Sequence, residues 1–254
     1  MHLKKTNEYL EEKMSEYWDE RSASYSEQSM TQLFGDKRTA WENLIFGSIP
    51  ENEPLDILDI GTGPGFFSIL AALRGHKVTA VDMNTEMLDK ARKNAGLNQV
   101  SIRFHQVGNR LPSDDESFDL ILSRDVTWTL TNPEEQLKHW ASKLKKGGTM
   151  LYFDAEWYGY LNNRKKQAEI EANRNEVLKK GGFIYGKASH LEKLAAELPM
   201  TYKARPGWDI EFWSRQPEYE FDVRENINTY VYNELEQLRY KLFPEFLITV
   251  KRKS

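Results

Sequence analysis

The sequence predicts an α/β fold built on a doubly wound, seven-stranded mixed sheet, and three observations support this class. Residues 57–82 form an apolar strand pattern, a glycine-rich turn, a helical pattern and a second strand that ends on an acid. Strand and helix patterns then alternate up to residue 154, which indicates parallel strands joined by helices. Two final apolar segments, 219–223 and 246–250, predict an antiparallel pair that completes the sheet.

Composition limits the function classes. The 254 residues are 39% hydrophobic and 29% charged with a net charge of −4, so no overall positive field attracts nucleic acid or an anionic membrane. Cysteine is absent, which excludes disulfides, thiolate metal sites and cysteine nucleophiles. No leader-like or membrane-spanning apolar run occurs. We expect one cytoplasmic domain over residues 1–254, a monomer or homodimer with a small-molecule substrate and no bound metal.

The glycine-rich turn has the pattern D-x-G-x-G-x-G, from Asp59 to Gly65. Glycines let the backbone turn sharply and approach a ligand closely, and the turn opens onto a helix N-terminus. A dinucleotide-binding turn needs a small residue where this chain has Phe66. Asp82 ends the second strand, where ligands bind in doubly wound sheets, and its carboxylate can accept two hydrogen bonds from a ribose diol.

This turn and acid resemble motif I of the class I S-adenosylmethionine (SAM) methyltransferases, which have a Rossmann-like sheet. The resemblance implies SAM as cofactor, with the glycine turn facing its methionine part and Asp82 holding its ribose. The candidate cofactor-binding residues are Asp59, Gly61, Thr62, Gly63, Gly65, Asp82, Met83, Asn84, Gly108, Asn109, Ser123, Arg124 and Tyr25. In the family an acid accepts a hydrogen bond from the adenine amino group. This chain has Val107, Gly108 and Asn109 at that place. A backbone carbonyl or the Asn109 amide is therefore expected to accept this hydrogen bond.

Residues 1–50 precede the sheet and predict two helices, Asn7–Trp18 and Met30–Ile49. The segment between them, 17–28, is similar to the W-D-x-R-A-x-x-Y segment of small-molecule methyltransferases, which folds over the cofactor as part of a lid. The alternative is an amphipathic helix that packs on the sheet edge through its aromatic side chains.

The acceptor side of the site is predicted from strands four and five. The carboxyl end of strand four is the usual catalytic position of the family, and Asp125 stands there. It is expected to orient or deprotonate a substrate heteroatom. The alternative is that Asp125 caps the following turn. Trp128 is a wall of the acceptor pocket or a core residue. A helical insertion at 155–205 is expected to cover the substrate, with Glu156 and Tyr158 as further catalytic candidates. The helix that starts at Pro133 is expected to end at K-K-G-G, residues 145–148.

Three functions agree with these patterns. The first is methyl transfer from SAM to a small-molecule N, O or C acceptor. The second is a lyase or cyclase of the same fold that acts on the aminobutyryl chain of SAM and releases methylthioadenosine. The third is a SAM-binding module without catalysis, although an intact glycine turn and Asp82 argue against it.

Overall fold

The computed structural model describes residues 6–47, 49, 53–108, 111, 115–184 and 189–254, with one sheet at its centre. The strands are β1 (Asp56–Ile60), β2 (Lys77–Asp82), β3 (Arg103–Gln106), β4 (Phe118–Arg124), β5 (Leu144–Asp154), β6 (Tyr219–Arg224) and β7 (Phe246–Arg252). They lie in the order β3-β2-β1-β4-β5-β7-β6. Strands β1 to β5 are parallel, and β7 is antiparallel to both β5 and β6. The seven-stranded mixed sheet predicted from the sequence is therefore confirmed.

Helices cover both faces of the sheet. They are α1 (Asn7–Phe34), α2 (Lys37–Phe46), α3 (Phe66–Leu73), α4 (Thr85–Leu97), α5 (Pro133–Ser142), α6 (Arg164–Lys179), α7 (Ser189–Ala195), α8 (Gly207–Ser214), α9 (Asn228–Val231) and α10 (Glu234–Arg239). Alternate residues of β5 enter opposite layers: Phe153 packs with Trp41 of α2, and Tyr152 packs with Trp213 of α8. Both layers are buried, as a doubly wound sheet requires.

The N-terminal segment differs from its prediction. Helix α1 runs without a break through residues 17–28, because these polar residues include neither glycine nor proline to stop it. It ends before Gly35, and α2 starts at Lys37, so the predicted helix from Met30 is divided there. A third apolar cluster joins α1 to the insertion through Leu10, Met14 and Leu198.

The prediction that residues 145–148 end the helix after Pro133 is wrong. Helix α5 ends at Ser142, and these residues belong to β5. Leu144 pairs with Phe118 while Thr149 pairs with Leu120, so four residues of β5 bulge opposite one residue of β4. Gly147 lies in this bulge with φ of +78°.

The topology brings several chain ends to one edge of the sheet. The carboxyl ends of β1, β2, β4 and β5 lie together there because these strands are parallel. Strand β7 runs the other way and starts at this edge, with Phe246 paired to Asp154. None of the helices in the described part of the chain is long and apolar enough to cross a membrane.

Candidate active site

A cleft of about 1070 Å³, counting its open mouth, lies at the carboxyl edge of β1, β2 and β4. Among the predicted site residues it is lined by Tyr25, Gly61, Gly63, Asp82, Met83, Gly108, Arg124 and Asp125. Residues that were not predicted also line it, including Glu11, Met14, Leu111, Thr131, Gln136 and Trp140. An apolar cleft with a few converging polar groups has the character of a small-molecule site.

The carboxylate of Asp82 is fixed by the backbone around it. Its two oxygens accept hydrogen bonds from Gly63 N at 2.8 Å and from Asn84 N at 2.9 Å. Burial raises the pKa of Asp82 to about 6, and the bonds from the Asn84 and Gly63 amides oppose that rise. A carboxylate has about four acceptor positions, so roughly two remain for a ligand diol. This arrangement fits the ribose of SAM.

The first two glycines of the turn bring the backbone against the cleft. Gly61 has φ of +68°, and a Cβ there would lie 2.2 Å from Val126 Cγ2. Gly63 has φ of +53°, and the nearest atom to a Cβ there would be Tyr25 Cε1 at 3.7 Å. Side chains at either position would enter strained backbone space beside the site.

Asp59 and Thr62 face a second, smaller cavity that adjoins the cleft and shares Gly63 and Arg124 with it. Asp59 Oδ2 accepts from Thr62 Oγ1 at 2.7 Å and from Ser68 Oγ at 2.6 Å, which ties the glycine turn to α3. Burial raises the pKa of Asp59. An acid and an arginine in one small cavity suit a ligand group that carries both a cation and a carboxylate, as the methionine end of SAM does.

Three predicted cofactor contacts do not line either cavity. Gly65 begins α3 with φ of +93°, and a Cβ there would meet Ala91 at 3.2 Å, so this glycine serves helix packing. Asn84 is buried: its side chain caps α4 by accepting from Met87 N at 2.8 Å, and it donates to Asp19 Oδ1 at 2.7 Å. Ser123 is also buried and donates to Ile60 O at 3.0 Å. Asn109 lies outside the described residues.

Helix α1 lies across the cleft and contributes Glu11, Met14, Trp18 and Tyr25 to its lining. Polar contacts hold it there: Thr131 Oγ1 donates to Glu11 Oε1 at 2.9 Å, and Asn84 Nδ2 donates to the carbonyl of Ser15 at 2.9 Å. This is the position expected of a lid, and its movement stays a prediction.

Arg124 is held between aromatic rings and two polar partners. Its guanidinium lies 5.1 Å from the Trp41 ring centre and 5.0 Å from that of Phe66. Nη1 donates to Gln32 Oε1 at 3.1 Å, and Nε lies 3.8 Å from Asp125 Oδ2. Arg124 therefore keeps one positive charge beside the cleft, anchored by stacking and by α1.

Asp125 has the backbone and the electrostatics of a functional carboxyl. Its φ is +58°, a left-handed conformation that few residues other than glycine adopt. Burial raises its pKa to about 7, although Arg124 opposes the rise. Its Oδ1 atom is buried, and the Trp157 side chain, as a hydrogen-bond donor to the carboxylate, also opposes the rise in pKa. A carboxyl with a pKa near neutrality on a ligand cleft can accept a proton at physiological pH.

Glu156 and Tyr158, the two further catalytic candidates, do not line the cleft. Glu156 accepts from Lys166 Nζ at 2.9 Å and from Arg205 N at 3.2 Å, so it holds the insertion to the end of β5. The Tyr158 ring packs on Trp128, with ring centres 4.9 Å apart. Trp128 is likewise buried in the cluster that joins α1 to the insertion, the core alternative of its prediction.

Sequence reasoning missed Glu245, a buried carboxyl near Asp125. It accepts from Tyr232 OH at 2.7 Å, and burial together with the Asp125 charge raises its pKa to about 8. Its position just before β7 could have indicated that it lies at the site. An antiparallel final strand starts at the edge of the sheet where β4 and β5 end.

Arg205 was also missed. Its guanidinium is buried and donates to Asp154 at 3.0 Å, to Asp209 at 2.7 Å and to Thr127 at 2.8 Å. Asp154 also accepts from Trp128 N at 2.8 Å and from the Thr127 hydroxyl. This network fixes the turn after Asp125 to the end of β5. Within the described ranges, His, Asp and Glu form no group of three or more that could hold a metal ion.

Comparisons with known proteins agree with this geometry. Residues 58–152 match the family model of a methyltransferase domain. The ubiquinone biosynthesis O-methyltransferase of Coxiella burnetii is 31% identical over 97 residues, which cover 38% of this chain and 42% of the relative. The ribosomal protein L11 methyltransferase of Dictyoglomus turgidum is 38% identical over 72 residues, covering 28% of this chain and 24% of the relative. The chain thus spans less than half the length of these curated relatives.

Solved structures extend the likeness to the whole fold. The plantazolicin methyltransferase BpumL, in complex with a pentazolic desmethylPZN analog and SAH, has a TM-score of 0.59 at 15% identity, covering 99% of this chain and all of the other. A SAM-dependent methyltransferase from Mesorhizobium loti has a TM-score of 0.58 at 17% identity, covering 84% of this chain and 98% of the other. Residues 58–152 of this chain therefore match a methyltransferase domain, and the sheet order of the described chain is that of the class I methyltransferase fold.

Proposed function

We propose that this protein transfers the methyl group of SAM to a small-molecule acceptor. The observation that carries the proposal is that one cleft contains both the Asp82–Gly63 cradle and the Asp125 carboxyl. A group that holds the cofactor and a group that can receive a proton therefore face the same enclosed space. The names of the matched relatives, which include an O-methyltransferase, support the same class of reaction.

The chain's own residues account for binding. In this proposal Asp82 holds the ribose, and Arg124 with Asp59 holds the aminocarboxylate end. Met83, Gly108 and Leu111 line the apolar part of the cleft where an adenine ring fits. When bound, SAM supplies a sulfonium methyl group that is electrophilic without further activation by the protein.

The remaining task of the protein is to position the acceptor and exclude water. Met14 and Trp18 of α1 lie on the cleft and restrict its mouth. Asp125 stands at the end of β4 in a fixed, left-handed backbone conformation, with its N–H donating to Phe153 O at 2.9 Å. There it orients a heteroatom and takes up its proton.

A screen with SAM carrying an isotopic label in its methyl group tests this function. The protein is incubated with labelled SAM and a fractionated metabolite extract, and labelled products are separated and identified. We expect S-adenosylhomocysteine and one methylated small molecule in equal amounts, and neither with Asp82→Ala. Release of methylthioadenosine from SAM alone would instead support the lyase or cyclase reaction, which no contact in the described site favours.

A further inference from the structure

One side-chain amide lines the cleft, and it belongs to Gln136 on α5. No other asparagine or glutamine among the described residues lies on that lining. The backbone N–H of Gln136 donates to Asn132 O at 3.0 Å, which fixes the residue in the first turn of the helix. None of the hydrogen bonds between described residues uses its side-chain amide, so an acceptor oxygen and a donor nitrogen are available to a ligand.

The surroundings of Gln136 in the cleft are apolar. Trp140 lies one helical turn further along α5 on the same face, and it also lines the cleft. Val107, Leu111 and Leu130 pack against the core cluster that includes Trp140 and line the cleft beside it. These four side chains form an apolar wall. A polar side chain in such surroundings contributes orientation and specificity to ligand binding.

The apolar wall begins beside the residue that holds the ribose. Val107 N donates to Asp82 O at 2.9 Å, which joins the start of the wall to the end of β2. Met83, the residue after Asp82, also lines the cleft. A base carried by a ribose at Asp82 is therefore expected among these apolar side chains. Its edge carries hydrogen-bonding groups, which need polar partners in the same place.

Val107 and Gly108, the described residues just after β3, offer no side-chain hydrogen bond. The methyltransferases that this chain resembles have an acid at this place. Thr131 is polar and lines the cleft, but its hydroxyl already donates to Glu11 Oε1 at 2.9 Å. Gln136, beside the apolar wall, is the side chain that presents both a donor and an acceptor to the edge of a base.

We infer that Gln136 recognises the adenine edge of SAM, with its amide oxygen accepting from the 6-amino group and its amide nitrogen donating to a ring nitrogen. The inference rests on the part of the proposed function that places SAM in this cleft, and it names the residue that selects the base. A carboxamide carries a donor and an acceptor side by side, as the edge of adenine does. Glutamine pairs with adenine in this bidentate way in protein–DNA complexes.

An amide recognises the base differently from the acid that it replaces. A carboxylate offers acceptors alone, so it contacts the 6-amino group and leaves the neighbouring ring nitrogen without a donor. The Gln136 amide serves both atoms and brings no further negative charge to a cleft that already contains Asp82 and Asp125. Recognition of the base therefore depends on α5 in this chain.

Calorimetry with two ligands tests this assignment without any turnover. The ligands are S-adenosylhomocysteine and its 6-deamino analogue, in which hydrogen replaces the amino group. The natural protein should bind the analogue roughly fivefold more weakly, the value of about one neutral hydrogen bond. Gln136→Leu should bind both ligands equally. Gln136→Glu should keep the preference for the amino group, because a carboxylate still accepts from it.

Glu135→Leu is the matched control, because this exposed neighbour of Gln136 on α5 does not line the cleft. It should leave both affinities unchanged. A preference that persists in Gln136→Leu would overturn the assignment, as would a preference that is lost in Asn109→Leu instead. If the natural protein binds neither ligand, SAM is not its cofactor and the proposed function fails as well, which is a different result from unselective binding.

Kinetics with an identified acceptor give a second measurement. The contact with the base is the same before and during methyl transfer, so Gln136→Leu should raise the KM for SAM roughly fivefold and leave kcat unchanged. A fall in kcat with an unchanged KM would contradict a role in binding the base.

Discussion

Replacement of Asp82 by alanine tests how this chain holds its cofactor. The carboxylate already accepts from Gly63 N and Asn84 N, so roughly two of its four acceptor positions remain for the ribose hydroxyls. Each hydrogen bond from a neutral donor to a charged acceptor contributes about 1.5–3 kcal/mol. Loss of two such bonds amounts to about 3–6 kcal/mol, or roughly a 10²- to 10⁴-fold weaker Kd.

Alanine also deprives two backbone amides of their acceptor, which loosens the glycine turn by itself. A ligand lacking one ribose hydroxyl separates the two effects. Calorimetry should compare S-adenosylhomocysteine with its 2′-deoxy analogue on the natural protein and on Asp82→Ala. The deoxy analogue should bind about tenfold more weakly than its parent to the natural protein and equally well to the variant. An identical penalty in both proteins would refute the ribose assignment, however much the variant loses overall.

The other predictions concern the turn, the titrating carboxyls and the buried network. Gly61→Ala should destabilise the protein by about 1–3 kcal/mol and weaken cofactor binding, because the added Cβ meets the side chain of Val126. Adding Val126→Ala to this variant should restore part of the lost free energy of unfolding, measured by urea unfolding. Affinity for S-adenosylhomocysteine should fall as pH drops below about 6, where Asp82 takes up a proton, and calorimetry at pH 5 and pH 7 would show it. The folded-state pKa of Glu245, about 8, lies above its unfolded value. Its contribution to the free energy of unfolding is therefore present at low pH and is lost as pH rises from about 4 to 8. Glu245→Gln should flatten that decline, which denaturant unfolding at several pH values would measure. Thr127→Val should lower the free energy of unfolding by about 1–3 kcal/mol, since it leaves a buried guanidinium without one acceptor, and thermal unfolding that matches the natural protein would contradict this.

The meeting of the glycine turn and Asp82 at one cleft could be predicted from the sequence because its signals are local. Glycines at positive φ and an acid at the end of the next strand fall within 24 residues of each other, and the Asp82 contact to Gly63 follows from that spacing. Where a predicted residue does not line the cavities, its side chain serves the fold instead. Asn84 is an α4 cap whose amide also binds α1, and no local pattern shows that α1 passes there.

The acceptor half depends on contacts between distant parts of the chain. The Trp157 side chain reaches Asp125 because β5 pairs with β4, and Glu245 lies near Asp125 because β7 is antiparallel to β5. Glu156 and Tyr158 were expected to be catalytic from their residue types and their place after strand five. The chain turns after Asp154, however, and their side chains contact Lys166 and Trp128 instead of the cleft. The direction of a side chain after a strand end depends on that turn, and the residue types there did not reveal it.

Helix α1 has a consequence for the timing of the reaction. Its contacts combine hydrogen bonds, from Thr131 to Glu11, from Asn84 to Ser15 and from Asn94 to Ser26, with the apolar packing of Leu10 and Met14. Water replaces such bonds at a net cost of about 0.5–1.5 kcal/mol each. Separation of the helix from the cleft therefore costs these hydrogen bonds and exposes the apolar surface of Leu10 and Met14, although the sheet itself stays folded. Ligands enclosed by Met14 and Trp18 leave only during such openings, so we expect departure of S-adenosylhomocysteine, rather than the chemical step, to limit turnover.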